Sequence, residues 1–394
     1  MAAEPRRRPW AALLAVTLVN LPLGSIYAFS VFLKPIEAEL GLPRSALSLV
    51  FGLASVGFTV GMLLAPYAYG ALPARWLLAC CSIAATIGIA LTGWADGLPM
   101  LLFGYGVLFG LGGGGAYIVA QQSVNLLVTT RKGLVNGYIV ALYPAGAMVA
   151  APLFGWANAA FGYRWTMAVL ACVLMATGIL GFALIRHSGA VLPSRSASQA
   201  ATSGRGAIFA RLFVVFFVAA AAGLTVLSQA VGIIVAYGGG ASMALAATTA
   251  ITGAIAAARV GGGWLTDMFE VPHVAASAQA FALVGAVSLT LWPDPYVAAV
   301  ALGMVGCGYG FISGCTAGAI ARYWPTEAYG RIASRIYIAW CVAAVTLPVL
   351  AGHLFDLTRG YGWTVAIAGA GNLVGVVVAL GLPKTGGQPR DEVA

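Results

Sequence analysis

The sequence predicts an all-α membrane protein: twelve transmembrane helices in two pseudo-symmetric six-helix bundles. Three observations predict it. Hydrophobic residues make up 61% of the chain and charged residues 8%, with a mean hydropathy of +0.94, whereas soluble domains carry about 25% charged residues. Apolar stretches near the roughly 20 residues that a helical span requires occur twelve times between short polar or Gly/Pro-rich breaks. Finally, the chain repeats itself: FGYRWT at 161–166 returns as RGYGWT at 359–364, an offset of 198 that also lays Gly110 on Gly308 and Gly112 on Gly310.

In order, the spans read as 10–33, 46–70, 74–94, 98–123, 134–157, 163–185, 209–237, 242–266, 273–293, 296–320, 333–354 and 362–382. Residues 10–32 follow Arg6, Arg7 and Arg8 as the apolar core of a signal peptide would. No small-residue cleavage site follows them, however, so they form the first span. The stretch HSGAVLPSRSASQAATSGRG at 187–206 is Ser/Ala-rich, basic and poor in large apolar residues, the composition of a linker. This predicts an N-terminal bundle at 1–186, a cytoplasmic linker at 187–208 and a C-terminal bundle at 209–394.

Orientation follows from the basic residues. With a cytoplasmic N-terminus, the inner loops and tails hold Arg6, Arg7, Arg8, Arg75, Arg131, Lys132, Arg186, Arg195, Arg205, Arg211, Arg322, Arg331, Arg335, Lys384 and Arg390, and the outer loops only Lys34, Arg44, Arg164 and Arg359. The positive-inside rule then puts both termini in the cytoplasm of a multi-pass inner or plasma membrane protein. The formal charge of +9 sits mostly where anionic lipid attracts it, so it implies no nucleic-acid partner.

The six cysteines, Cys80, Cys81, Cys172, Cys307, Cys315 and Cys341, all fall within spans without pairing or metal-ligand spacing, and read as small core residues. GLGGGG at 110–115 satisfies the dinucleotide pattern G-x-G-x-x-G. It lies inside a hydrophobic helix, though, with no strand before it and no acidic residue about 20 positions later. These glycines read as a helix-packing surface, and the sequence predicts no cofactor. Nor does it hold the nucleophile-and-base set or metal cluster of a membrane enzyme.

One charge stands out. IAAARVGGGWLTD at 255–267 contains Arg259, with no Asp or Glu nearer in sequence than Asp267. Eight residues put the arginine about 12 Å from the inner end of its helix. Side chains lean toward the helix N-terminus, so on a span running outside to inside the guanidinium tips toward the membrane centre. An intramembrane arginine costs roughly 3 kcal/mol or more and usually faces a cavity, which points to an anion site; the alternative is a structural cation bonded to backbone carbonyls.

Thr248, Thr252 and Ile255 precede Arg259 on one helical face, Tyr117 and Gln121 form an i, i+4 pair in span four, and Tyr27, Ser228, Gln229 and Tyr309 fall near mid-depth. Taken singly, a Tyr, Ser or Gln in a span is more often bonded to a neighbouring helix. Tyr117 and Tyr27 are the preferred partners of the arginine. His353, near the outer end of span eleven, reads as structural.

The segments GSIYAFSVFLKPIEAELGLPRSALSLVFGLA (24–54), YGVLFGLGGGGAYIVAQQSV (105–124) and RKGLVNGYIVALYPAGAMVAAPL (131–153), supported by ARVGGGWLTD and LAGHLFDLTRGYGW in the second half, resemble the oxalate/formate antiporter family. More broadly they resemble the monocarboxylate transporters of the major facilitator superfamily. The resemblance implies the major facilitator fold and alternating-access transport of small organic carboxylates, with an arginine of span eight binding the carboxylate at the position of Arg259.

Some dicarboxylate-handling relatives carry a lysine where Trp340 stands here, which weighs against oxalate and adds Trp340 to the candidate substrate-binding residues. Animal proton-coupled relatives carry an aspartate where Ile255 stands. The superfamily's loop motif survives as Gly263 and Asp267, followed by Met268, and implies a gating role for Asp267. Its first-half counterpart has Tyr69 in place of the aspartate.

No Asp or Glu lies in the interior of a span, and arginine does not release its proton in a protein. Exchange or facilitated diffusion of monocarboxylates such as formate, acetate, lactate or pyruvate is therefore the simplest expectation. Proton symport stays open through the substrate, His353 or Asp267. A polyspecific drug or cation exporter of the same fold would want acidic groups in its cavity, and an oxalate-type exchanger a second cation. The expected partners are the carboxylate, with or without a co- or counter-transported ion or proton, and the bilayer; the expected state is a monomer.

Overall fold

The computed structural model describes residues 7–194, 205–358 and 360–384. Arg6, Arg195, Arg359 and Arg390 of the charge inventory, and linker positions 195–204, lie outside the described residues. Among the described residues twelve helices are long and apolar enough to cross a membrane: α1 (Pro9–Ala28), α2 (Arg44–Ala68), α3 (Ala74–Gly93), α4 (Leu98–Asn125), α5 (Lys132–Phe161), α6 (Tyr163–Ser188), α7 (Gly206–Ala236), α8 (Ala241–Met268), α9 (Val271–Leu291), α10 (Pro295–Tyr323), α11 (Thr326–Thr358) and α12 (Gly362–Leu380). No strand occurs among the described residues. The chain is a multi-pass membrane protein.

Four helices depart from regular geometry, of which α2 does so only in its last turn, a 3-10 segment over Ala65–Ala68. Beyond Pro22, which has no N–H to give, α1 tightens into a 3-10 turn over Gly24–Ala28, and a further helix follows at Ser30–Leu40. Within α4, Leu102–Phe109 is wound as a π-helix around Gly104 and Gly106. α11 begins with a 3-10 turn, Thr326–Ala328, and is built from Tyr329–Ile336 and Ile338–Thr358, which meet at Tyr337.

The chain divides into two compact units. Unit 1 comprises Met1–Thr130, Ile139–Ala200 and Gly330–Val349; unit 2 comprises Arg131–Tyr138, Ala201–Tyr329 and Leu350–Ala394. The units thus follow the two halves of the sequence except at two places: the start of α5 groups with unit 2, and twenty residues of α11 group with unit 1. In unit 1, α4 is central and packs against α1, α2 and α3, with α6 on α1 and α3. In unit 2, α10 is central and packs against α7, α8 and α9, with α12 on α7 and α9.

Close backbone approach explains why α4 and α10 are the central helices. Without a hydrophobic drive between helices in lipid, small residues that admit a neighbouring backbone dominate their packing. Gly110 and Gly114 lie against the carbonyls of Ala54 and Phe58 on α2, while Gly112 lies against Cys81 and Ala85 on α3. In unit 2, Gly310 and Gly314 lie against the carbonyls of Ile255 and Arg259 on α8. On the α2 and α8 side these contacts pair Gly110 with Gly310 and Gly114 with Gly314, a displacement of 200, whereas on the other side Gly112 against Ala85 matches Gly308 against Ala282, a displacement of 196, and the 198 read from FGYRWT lies between the two. Backbone approach, rather than residue identity, sets which glycines are equivalent.

Leu49, Leu64, Ile179, Val300, Val349 and Val377, among many other large apolar residues, point outward. In water they would make an apolar surface far beyond that of a soluble monomer; in a bilayer they meet lipid. Cys80 and Cys172 also face outward, which corrects their reading as core residues, whereas Cys315 and Cys341 are buried. A thiol is apolar enough for lipid, so a cysteine in a span does not reveal which way it faces.

The start of α5 tests this packing logic. A Cβ added at Gly137 would lie 2.6 Å from the Arg259 carbonyl oxygen and 2.9 Å from Gly263 Cα, whereas one at Gly155 would approach nothing nearer than Val31, at 4.0 Å. Gly137→Ala should lower stability by about 1–3 kcal/mol by overpacking against backbone that cannot yield. Gly155→Ala should be neutral, or stabilising by up to about 1 kcal/mol. Thermal unfolding of the two purified variants checks the pair.

Candidate functional site

In unit 2 the site is built on the α8–α10 seam. Arg259 sits in the interior of α8 and is 5% exposed. Its Nη2 donates to the Tyr309 hydroxyl at 3.1 Å, and its guanidinium carbon lies 5.2 Å from the centroid of the Tyr309 ring. Tyr309, on α10, is fully buried and presses on Gly223 of α7. The backbone is fixed as firmly as the side chain, because Gly137 of α5 and Gly314 of α10 both pack on the Arg259 carbonyl. The result is a cation held against an aromatic face by three neighbouring helices.

The polar stripe before Arg259 is largely satisfied within its own helix. The Thr248 hydroxyl donates to Ala244 O at 2.7 Å and the Thr252 hydroxyl to Thr248 O at 2.9 Å. Ser228 likewise donates to Thr225 O at 3.0 Å and is exposed, while Gln229 is half-buried on α7. Ile255, one turn before the arginine, is buried. His353 is exposed near the far end of α11. Tyr309 is the residue seen to reach Arg259.

Unit 1 holds an aromatic cluster. Tyr27, half-buried in the 3-10 turn of α1, lies 5.9 Å from Trp340 and 6.3 Å from Tyr143 between ring centroids. Tyr117 of α4 stands edge-on to Tyr143 at 5.2 Å, with Phe58 at 5.9 Å and Tyr337 at 6.0 Å. Phe58 completes the cluster, 5.4 Å from Tyr143 and 6.2 Å from Trp340. Such edge-to-face pairs fix ring orientation and contribute about 0.5–1.5 kcal/mol each beyond burial. Gln121, one turn beyond Tyr117, is fully buried. The Trp340 indole N–H is buried with no hydrogen-bond partner among the described residues, an arrangement that a ligand acceptor would relieve.

Sequence reasoning singled out Tyr27, Tyr117 and Trp340 but not Phe58, Tyr143 or Tyr337. The repeat read from the sequence does not reach Phe58, since an offset of 198 lays Arg259 on Gly61; the packing does. Gly114 packs on the Phe58 carbonyl as Gly314 packs on the Arg259 carbonyl, so the phenylalanine and the arginine occupy equivalent stations in the two units.

Asp267 lies at the end of α8, exposed. Its two carboxylate oxygens accept the backbone N–H groups of Gly133 at 2.7 Å and Leu134 at 2.8 Å, in the first turn of α5. A carboxylate there satisfies two donors that the helix leaves open and meets the positive end of its dipole. Around it, Arg322 donates to the carbonyls of Thr266 and Phe269, both at 3.1 Å, and Lys132 donates to the Thr326 hydroxyl at 3.0 Å.

A family model described as Major Facilitator Superfamily matches residues 14–348. The chain belongs to the Major Facilitator Superfamily. As a superfamily member it is a transporter and not an enzyme. One sequence relative is an uncharacterized MFS-type transporter, YhjX, of Escherichia coli (strain K12), 28% identical over 143 residues. That match covers 36% of each protein, so the chain spans about a third of the relative's length.

Among solved structures, the fold is similar to that of FucP in the outward conformation (TM-score 0.75, 15% identity, 96% of this chain and 100% of that one). It is also similar to the human organic anion transporter MFSD10 (TM-score 0.75, 13% identity, 95% and 100%). A third is the proton:xylose symporter XylE bound to 6-bromo-6-deoxy-D-glucose (TM-score 0.71, 16% identity, 96% and 97%). At such identities the likeness is one of fold.

The Arg259–Tyr309 contact combines a hydrogen bond with a ring face, and the two can be separated. Tyr309→Phe keeps the ring and removes the acceptor, which should cost about 1–3 kcal/mol, the range for a bond to a buried charge. Tyr309→Leu loses both and should cost more. Thermal unfolding of the two variants against wild type gives the order.

Proposed function

We propose that this transporter moves small organic anions, monocarboxylates such as formate, acetate, lactate and pyruvate, across the cell membrane by alternating access, with Arg259 as the carboxylate ligand. The observation that carries the reading is a guanidinium buried in the interior of a membrane helix and braced by Tyr309 and by glycines packed on its backbone. A protein invests in such placement where a negative charge must be met inside the membrane. The likeness of fold to an organic anion transporter is consistent with it, as is the resemblance of the first half to the oxalate/formate antiporter family.

Tyr309 is the residue that positions the guanidinium. Tyr27, Tyr117, Gln121, Gln229 and Trp340 are proposed to contribute to substrate binding, and Asp267 to gating. Both termini are assigned to the cytoplasm from the distribution of basic residues, the bundles to 1–186 and 209–394 about the 187–208 linker, and the working state to a monomer. With no acidic residue in the interior of any span, exchange or facilitated diffusion is the simplest mode.

Two experiments test this reading. The first is flux in proteoliposomes with labelled formate, acetate, lactate, pyruvate, oxalate, an amino acid, and fucose and xylose as sugar controls. One guanidinium matches one carboxylate bidentately, and Trp340 supplies no second cation, so a monocarboxylate should be moved and oxalate moved poorly. Oxalate or a sugar outpacing every monocarboxylate would overturn the assignment.

The second experiment separates charge from geometry at Arg259. Arg259→Lys keeps the charge but replaces the planar fork with a point ammonium, and should lose most affinity. Arg259→Gln should abolish anion binding yet fold at least as well as wild type, since the burial cost of the charge is gone. If the arginine is instead structural, Arg259→Gln should be destabilised by about 1–3 kcal/mol through partners left unsatisfied, with normal affinity per folded molecule. Unfolding and ligand binding measured on the same preparation decide between these outcomes.

A further inference from the structure

The chain begins α5 and α11 in corresponding places of its two halves, and each start is gripped by a different chemistry. At α5 the grip is the Asp267 carboxylate on the N–H groups of Gly133 and Leu134. At α11 it is Gln122, a fully buried residue of α4, whose Oε1 accepts the Gly330 N–H at 2.6 Å. Because the backbone N–H is the donor, the side-chain atom facing it must be the carbonyl oxygen. Tyr69, which stands where the loop motif would place an aspartate, converges on the same glycine: a Cβ added at Gly330 would lie 2.7 Å from the Tyr69 hydroxyl oxygen and 3.0 Å from Gln122 Oε1. Burial raises the Tyr69 phenol well above its ordinary range, so it stays neutral. Its hydroxyl has no hydrogen-bond partner among the described residues; Tyr69 fills the space and Gln122 does the accepting.

We propose that Gln122 is a gating residue, the uncharged counterpart of Asp267, so that this transporter has one charged latch and one neutral latch. The charged latch combines hydrogen bonds with attraction between a carboxylate and a helix N-terminus, and its exposed carboxylate is open to screening by salt. The neutral latch is a buried hydrogen bond whose acceptor carries no net charge. The nearby charges are Arg331, buried with its guanidinium carbon 5.5 Å from the Tyr67 ring centroid, and Glu327 in the turn before. Salt should loosen the start of α5 and leave the start of α11 held. The proposal concerns gating alone and holds for any substrate.

The test is hydrogen–deuterium exchange, read by mass spectrometry, on the purified full chain without substrate. Peptides covering 131–138 and 329–337 are followed at low and high sodium chloride in wild type, Asp267→Asn, Gln122→Met and Gln122→Glu. In wild type, salt should speed exchange at 131–138 and leave 329–337 unchanged. Gln122→Met keeps size without an acceptor and should raise exchange at 329–337 about tenfold, the loss of one buried hydrogen bond, with 131–138 at the wild-type rate; Asp267→Asn should do the reverse. Gln122→Glu should slow exchange at 329–337 in low salt and make it salt-sensitive, and it decides the matter if Gln122→Met does not fold. Wild-type exchange at 329–337 in Gln122→Met, or an equal salt response of both segments in wild type, overturns the proposal.

Discussion

Backbone-to-backbone approach at α4 and α10 is the constraint on which the rest of this structure depends. In lipid, apolar side chains gain little by meeting one another instead of acyl chains, so helices cohere where their main chains come close enough for dispersion contact. The glycines of α4 seat α2 and α3, and those of α10 seat α8. Once these contacts are made, the carbonyls of Phe58 and Arg259 are pinned, and the directions of their side chains follow. The depth of the candidate ligand and the place where its side chain leaves the helix thus follow from helix packing, and Tyr309 then fixes where the guanidinium rests.

The same packing explains why a buried cation is tolerable. A guanidinium within the apolar part of a helix needs partners fixed before it arrives, since lipid cannot reorganise to solvate it. Tyr309 provides both an acceptor and a π face from a helix already locked to α8. A ring face is a weaker partner than a carboxylate. It holds the guanidinium in place through its face and its hydroxyl together.

Much of this was legible in the sequence, for a reason of contrast. A lone arginine in a long apolar run is conspicuous against its background, and Arg259 could be singled out on that basis; Asp267 was reached through the loop motif that the family resemblance supplies. Phe58, Tyr143 and Tyr337 could not, because an aromatic residue in a membrane span has the same composition whether it faces lipid, a neighbouring helix or a cavity. Cys80 and Cys172 were misplaced for the same reason. Gln122 was hidden by its neighbour: Gln121 completes an i, i+4 pair with Tyr117, whereas the significance of Gln122 depends on Gly330, more than two hundred positions away. The grouping of the start of α5 with unit 2 had no sequence signal, since it depends on Gly137 and Gly263 meeting across about a third of the chain.

The equivalence of Phe58 and Arg259 has a consequence for why one long polypeptide serves better than two short ones. A transporter assembled from two identical half-length chains would carry the same residue at both stations, and so either two arginines or none. Joining the copies into a single chain frees each address to mutate alone. One copy carries an apolar ring at this station and the other a cation, a difference that two identical half-length chains could not show.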